Sequence, residues 1–508
     1  MAAKSKFWPV FENLCLSDVN TKPHYVLHLI NIIREEKPLK NKENAKEFAQ
    51  RIKKWFVSTD ERWVALCFMP NCLKYFGAEL VQQNAVFWMK SLVQTFNSKP
   101  RGQILQLVLD CVHKLLPLSV EFDDISRDFA LNLIHPFLTT LTSYTNSETE
   151  FLENRLMVYR QSIICYPGPT GRFRTHIENH SLSLIGHNID SVRLKASKCL
   201  AVIPQCGTSG EKGTKFAEFW NKQFGLTLNT IKELIEGFLL SKDEKSANQN
   251  SPKLTLKLPK ILLAQPHHSI TLSRQITSLI LVLEEMLTYK FPSMVNLTLQ
   301  PVISLCLKIF SKQVDLENSS IEGACVNVIL PQLWGGCLSL MNTIVIQIGS
   351  LALPYQSSIS NMVFETLSFA QKDGKAYYNE HPRIKMCAYK LMTNWITFIG
   401  EIDREVISKI IDLIFHDIKQ VMDKENSVTN LASVKQKKQK HGKKLQEDIV
   451  ESAMAGKMVD RTENSDIAMA ALDLLETLIK TSGSRMMLET IQKIESFVFW
   501  CVLQYQSH

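Results

Sequence analysis

The stretch RIKMCAYKLMTNWITFIG, Arg383–Gly400, decides the fold class. Ile384, Ala388, Leu391, Trp395 and Phe398 recur at spacings of three and four, which lines one face of a helix and not one face of a strand. Gly400 suits the left-handed residue that follows a helix. The same pattern repeats along the chain. Ile104, Val108, Cys111 and Leu115 form a stripe that Pro117 closes. Val192, Ala196, Cys199 and Ile203 form another, opened by Asp190 as N-cap and closed by Pro204. Ile467, Ala470, Leu474 and Leu478 form a fourth, opened by Ser465 as N-cap and closed by Gly483. Ile276–Leu287, ITSLILVLEEML, is apolar on more than one face, as expected of an inner helix with neighbours on both sides.

Composition agrees. Gly is 19 and Pro 18 of 508 residues, too few turn formers for a β-sandwich or propeller. With 45% hydrophobic residues the chain has ample apolar surface to bury. No strict period of about 33 or 34 residues is visible. The expected fold is all-α, an irregular armadillo/HEAT-like α-solenoid of stacked helical pairs. Helical-repeat structure is expected over residues 1–423 and again over 464–508, with a flexible basic loop over 424–463. Gln205–Lys215 and Ser241–Pro259 read as further polar breaks. No run approaches the ~18 uninterrupted apolar residues of a membrane span, and the N-terminus lacks the apolar core of a secretory signal. The 12 Cys are scattered through apolar patterns, which reads as reduced and intracellular.

The net charge of +8 is concentrated in one place. KQKKQKHGKK carries Lys435, Lys437, Lys438, Lys440, Lys443 and Lys444, leaving the remaining chain near neutral. Such a run is a candidate nuclear localisation signal, with direct RNA contact as a second reading.

Catalytic and metal motifs fail on spacing or context. The Gly-rich loop near Gly207 has Lys212 before Gly213 and lacks the Gly-Lys-Ser/Thr that a phosphate cradle requires. His176 and His180 stand four apart, as two ligands on one helix face would, but no third ligand is evident. Cys67 and Cys72 have no second pair at finger spacing and read as packing residues. No nucleophile elbow, kinase set or dinucleotide fingerprint is present. The expectation is a non-enzymatic binding scaffold without cofactor or metal.

Four passages carry a resemblance: Asp60–Gln94 with TDERWVALCFM and FWMKSLVQ, Leu107–Leu141, Tyr166–Pro204, and NSDIAMAAL at Asn464–Leu472. In the last, Asn464, Ser465, Asp466, Ala470, Ala471 and Leu472 fit a family pattern, and Arg383, Tyr389 and Trp395 fall where that family has them. From about Asp60 onward the chain resembles the N-terminal, Rix-type helical region of the proline-, glutamic-acid- and leucine-rich protein family. The resemblance implies a non-catalytic scaffold of a nuclear and nucleolar complex that matures the 60S ribosomal subunit and its pre-rRNA. It implies a homodimer that holds a WD-repeat subunit and a second helical-repeat subunit. It also implies docking on pre-60S particles with the AAA ATPase midasin, and a SUMO protease as associate. Animal members continue into a Pro- and Glu-rich tail. This sequence shows no acidic tract before His508, so tail functions such as histone contact are not carried over. Two other readings are a nuclear-receptor coregulator and an armadillo-type transport adaptor. For the first, VHKLL (Val112–Leu116) and ALDLL (Ala471–Leu475) only approximate the Leu-x-x-Leu-Leu box and read as core stripes.

Overall fold

A computed structural model describes residues 7–17, 21–144, 151–206, 214–239, 254–312, 320–372, 382–400, 406–419, 447–483 and 486–506. Among these residues there are helices and turns and no strand. The chain divides into two units. One takes Met1–Thr227 with Thr255–Lys260 and Tyr289–Leu297; the other takes Leu228–Leu254, Ile261–Thr288 and Thr298–His508. The division therefore falls within the 1–423 region.

Unit 1 begins with an aromatic core. Helices Phe7–Leu16, Lys42–Val57 and Arg62–Cys72 meet where Phe48 lies 5.8 Å from Phe7 and 5.3 Å from Phe68, with Trp55 stacked on Phe68 at 5.6 Å. These offset and edge contacts add to the area that the rings bury. Beyond it runs an inner row of helices, Arg62–Cys72, Gly102–Ser119, Leu152–Cys165 and Asp190–Val202, each packed on the next. Fully buried Val108, Leu109, Leu115 and Leu116 fill the Gly102–Ser119 face, each contributing about 1.5–3 kcal/mol by leaving water.

Side-chain hydrogen bonds between layers of unit 1 span 37 to 47 residues. Cys111 Sγ donates to Leu66 O across 45 residues, and Lys114 Nζ donates to Pro70 O across 44. Asn154 to Asp110 and Tyr144 to Pro100 O also span 44, and Thr140 to Asn97 spans 43. Most of these offsets fall within the ~40–47 residues of armadillo and HEAT layers. At about 1 kcal/mol each, these bonds set register while apolar burial supplies stability.

Unit 2 is built around Ile321–Ile348, a 28-residue helix whose start is capped by the Ser320 hydroxyl, which accepts from Gly323 N at 2.9 Å. By length and composition this helix could cross a membrane. Here its apolar residues pack on His267–Thr288 and on Pro382–Ile399. Gly336 allows that approach: a Cβ there would stand 3.4 Å from Ile280 Cδ1. Ile276, Leu279, Ile280, Leu283 and Met286 are buried, so ITSLILVLEEML is an inner helix as its pattern implies. Pro382–Ile399 packs in turn on Glu447–Ser482. Gly400 follows it at φ +76°, its N–H bonded to Ile396 O.

Several local expectations change. Pro117 lies inside Gly102–Ser119 and does not end it. It removes the amide that would bond His113 O and crowds that carbonyl, and the helix ends two residues later. Asp190 is the first helical residue, and Ile189 holds the cap position. Asp190 instead pairs with Arg193 at 2.7 Å. Ser465 is not a cap, because its helix begins at Glu447, inside the segment read as loop. That stretch carries Glu447, Glu451, Ala453, Met454, Ala455 and Met458, all good helix formers. Ile104 and Phe398, placed on apolar stripes by periodicity, are exposed.

Candidate interaction surface

The last two helices of unit 2 carry the most unusual surface. On Glu447–Ser482, Ile467, Ala470, Ala471, Leu474, Leu475 and Leu478 are buried at helical spacing against Pro382–Ile399. The small side chains at 470 and 471 let the two helices come close. The final helix, Leu488–Gln506, packs through Phe497, whose ring stacks on Phe415 at 3.9 Å. Lys419 Nζ lies 5.4 Å from the Trp500 ring, and Lys493 pairs with Asp412 at 3.3 Å. The opposite face is exposed among the described residues. Phe499 is 66% exposed and Leu503 50%, with Val498 and Val502 beside them. Met469, Leu472 and Ile479 make a second exposed apolar stripe on the preceding helix. Apolar stripes of this kind mark contact surfaces. The sequence signal was present in ESFVFWCVL, which is too apolar all round for a helix packed on one side.

Behind this surface, Pro382–Ile399 is latched to the helix over 406–419. Lys385 Nζ donates to Asp417 Oδ1 at 2.8 Å, and Tyr389 OH donates to Asp417 Oδ2 at 2.7 Å. All three are buried. Desolvation, then the adjacent carboxylate, pushes the Tyr389 hydroxyl well above its ordinary range, so it stays a donor. Of the family-pattern residues, Tyr389 and Trp395 are thus core and Arg383 is exposed.

The structure sorts the remaining sequence-derived sites. Ser465 and Asp466 are exposed, Ala470 and Ala471 are buried, and Leu472 is exposed. The Asn464 side chain and the whole run Lys435, Lys437, Lys438, Lys440, Lys443 and Lys444 lie outside the described residues, as do Gly207, Lys212 and Gly213. His176 and His180 share helix Arg174–Leu184 with ring centroids 6.4 Å apart. Burial, then the Arg155 cation and His176, brings His180 down to about 4, a cationic setting hostile to a metal ion. Among the described residues no group of three or more His, Cys, Asp or Glu is placed to hold a metal. Burial pushes the Cys67 thiol up to about 11 and the buried Cys72 thiol further, so both are packing residues.

Residues 12–191 match the RIX1 family, described as rRNA processing/ribosome biogenesis. The RIX1 segment starts ahead of Asp60, where the resemblance was first legible, and takes in the aromatic core around Phe48. It lies within unit 1. The chain is also similar to curated relatives. It is 21% identical over 352 residues to proline-, glutamic acid- and leucine-rich protein 1 of Xenopus laevis, covering 68% of this chain and 34% of that protein. It is 21% identical over 467 residues to the Mus musculus protein of the same name, covering 88% and 41%. The chain therefore spans well under half the length of these relatives. Among solved structures, it superposes on a chain of the "Rix1-Rea1 pre-60S particle - Rix1-subcomplex" with a TM-score of 0.57 at 14% identity, covering 80% of this chain and 76% of that one. The likeness establishes a shared helical-solenoid fold.

Within the RIX1 segment, Val112, Leu115 and Leu116 of VHKLL are fully buried. Ala471, Leu474 and Leu475 of ALDLL are buried in unit 2. Neither near-box can meet a receptor groove without its helix leaving the core it packs in.

Proposed function

We propose that this chain is a non-catalytic scaffold subunit of a nuclear complex that matures the 60S ribosomal subunit and processes its pre-rRNA. The observation that carries the reading is the RIX1 match over residues 12–191. The helical architecture fits it, since stacked helices offer long surfaces and few converging reactive groups. The proposed partners are a second copy of the chain, a WD-repeat subunit, a second helical-repeat subunit, and a midasin-type ATPase on the pre-60S particle, with a SUMO protease as associate. The apolar stripe of Val498, Phe499, Val502 and Leu503 supports a subunit contact at the last helix. Nuclear and nucleolar residence is proposed to depend on Lys435–Lys444 within a basic segment over 424–463.

Affinity purification of the tagged chain from nuclear extract, followed by mass spectrometry, tests the reading. Recovery of a WD-repeat subunit, a second helical-repeat protein and midasin together is expected. Phe499→Asp with Leu503→Asp should lose at least one of these subunits while helix content holds. Normal large-subunit precursors after depletion of the protein would sink the reading.

A further inference from the structure

A concave pocket of about 600 Å³ opens in unit 1, between the turn Pro38–Lys40 with the start of helix Lys42–Val57 and the turn Leu73–Tyr75 with the start of helix Ala78–Asn97. Its floor is apolar: Leu39, Ala45 and Phe76 are buried, and Leu80 is half-buried. That volume suits one bulky side chain and its flanking backbone. Its rim is cationic. Lys40, Lys42 and Lys46 line the mouth, are exposed, and form no ion pair among the described residues. One helix start also faces the pocket uncapped. Gly77 in the lining supplies no capping side chain, whereas Asn41 caps the other helix through Glu43 N at 2.9 Å. The Leu80 and Val81 N–H groups already donate to Gly77 O, so the Ala78 and Glu79 amides are the ones left for an anion, and a Cβ on Gly77 would meet nothing within 4 Å.

We propose that this pocket binds an acidic peptide segment of a partner protein, with one large apolar side chain on the floor and carboxylates on the lysine rim and the free helix start. Two observations favour a peptide over single-stranded RNA. Lys74 Nζ sits 4.9 Å from the Tyr75 ring and already covers the platform on which a base would stack. Glu43 and Glu79 interrupt the cations of the lining. A phosphate chain with a charge at every residue would be repelled there, whereas a peptide can place neutral residues opposite them. This site goes beyond the scaffold reading and does not depend on it.

The test is fluorescence anisotropy on the full chain at low and moderate salt, with a short labelled peptide in which Asp and Glu alternate with Gly around one Phe. The same peptide with Ser for Phe, and an oligouridylate, serve as comparisons. The Phe peptide is expected to bind in a salt-sensitive way, with the Ser peptide about tenfold weaker. Lys42→Glu with Lys46→Glu should weaken the Phe peptide about tenfold or more. Gly77→Asp is the safeguard against trivial unfolding. It places a carboxylate where the peptide's would bind and caps the helix, so affinity should fall about three- to tenfold while the melting temperature holds or rises. Unchanged affinity in both variants, equal binding of the Ser peptide, or oligouridylate binding lost in the same variants would each overturn the proposal.

Discussion

The two units bury ionisable groups of opposite kind. In unit 1, Arg155 is 1% exposed and donates to Tyr144 O at 3.1 Å, beside His176 and His180. The charges acting on His180 are both cationic, and its ring nitrogens have no partner, so it is held neutral at about 4. In unit 2, Glu284 lies in the inner helix with one carboxyl oxygen unpartnered. Burial raises it to about 7, against a smaller opposing effect of the Ser339 hydrogen bond. One physical cause, lost hydration of the charged form, moves a base down and an acid up. The two groups therefore answer pH with opposite sign. At His180 the folded chain binds fewer protons than the unfolded one between pH 6.5 and 4. Its contribution is present above 6.5 and lost as pH falls through 4. At Glu284 the folded chain binds more protons between pH 4.5 and 7. Its Glu284 contribution is present below 4.5 and lost as pH rises through 7.

The largest expected effect sharpens the contrast between an unpaired and a paired interior. Asp417→Ala should cost about 3–5 kcal/mol, because it leaves Lys385 charged and the Tyr389 hydroxyl unbonded inside unit 2. Denaturant titration read by hydrogen exchange on Pro382–Ile399 measures it; a loss under about 1 kcal/mol would mean the latch is not closed in solution. Next comes the pH response itself. Acidification from 6.5 to 4 should remove about 3 kcal/mol from unit 1, read from protection of Arg174–Leu184. Parallel slopes in the two units would break the comparison. Glu284→Gln should flatten the unit 2 slope and raise its stability at pH 8 by about 2 kcal/mol, after allowance for partial exposure. A variant curve that overlays the parent would remove Glu284 from the account. The smallest effect is at the surface. Lys480→Ala breaks an exposed pair with Glu476 and should change the melting free energy by less than about 0.5 kcal/mol in either unit.

Helix faces were legible where burial is one-sided. Val108, Cys111 and Leu115, Val192, Ala196 and Cys199, and Ala388, Leu391 and Trp395 are all buried as periodicity requires. Helix ends were less so, because Pro117 and Ser465 send the same local signal at an end and within a helix. The RIX1 likeness was legible from short fragments, although the match begins earlier than those fragments implied. The pocket was not. Its walls come from two pieces about forty residues apart, and neither Lys40–Lys46 nor Tyr75–Leu80 looks unusual by itself. The apolar face around Phe499 was legible in part, since ESFVFWCVL is apolar all round but a sequence stripe does not say whether another helix covers it.

The sequence by itself determined that this chain is helical throughout its ordered patterns, that its helices have buried faces, and that its positive charge gathers at Lys435–Lys444. Those properties depend on neighbours within a few turns of one helix, where the 3.6-residue period acts directly. Tertiary structure alone decided which layers of unit 1 bond to one another, the Lys385–Tyr389–Asp417 latch, the opposite titrations of His180 and Glu284, and which apolar faces remain open. Each of these depends on which distant helix arrives as neighbour. Packing volume and lost hydration set that choice, and neither is written in any single stretch of residues.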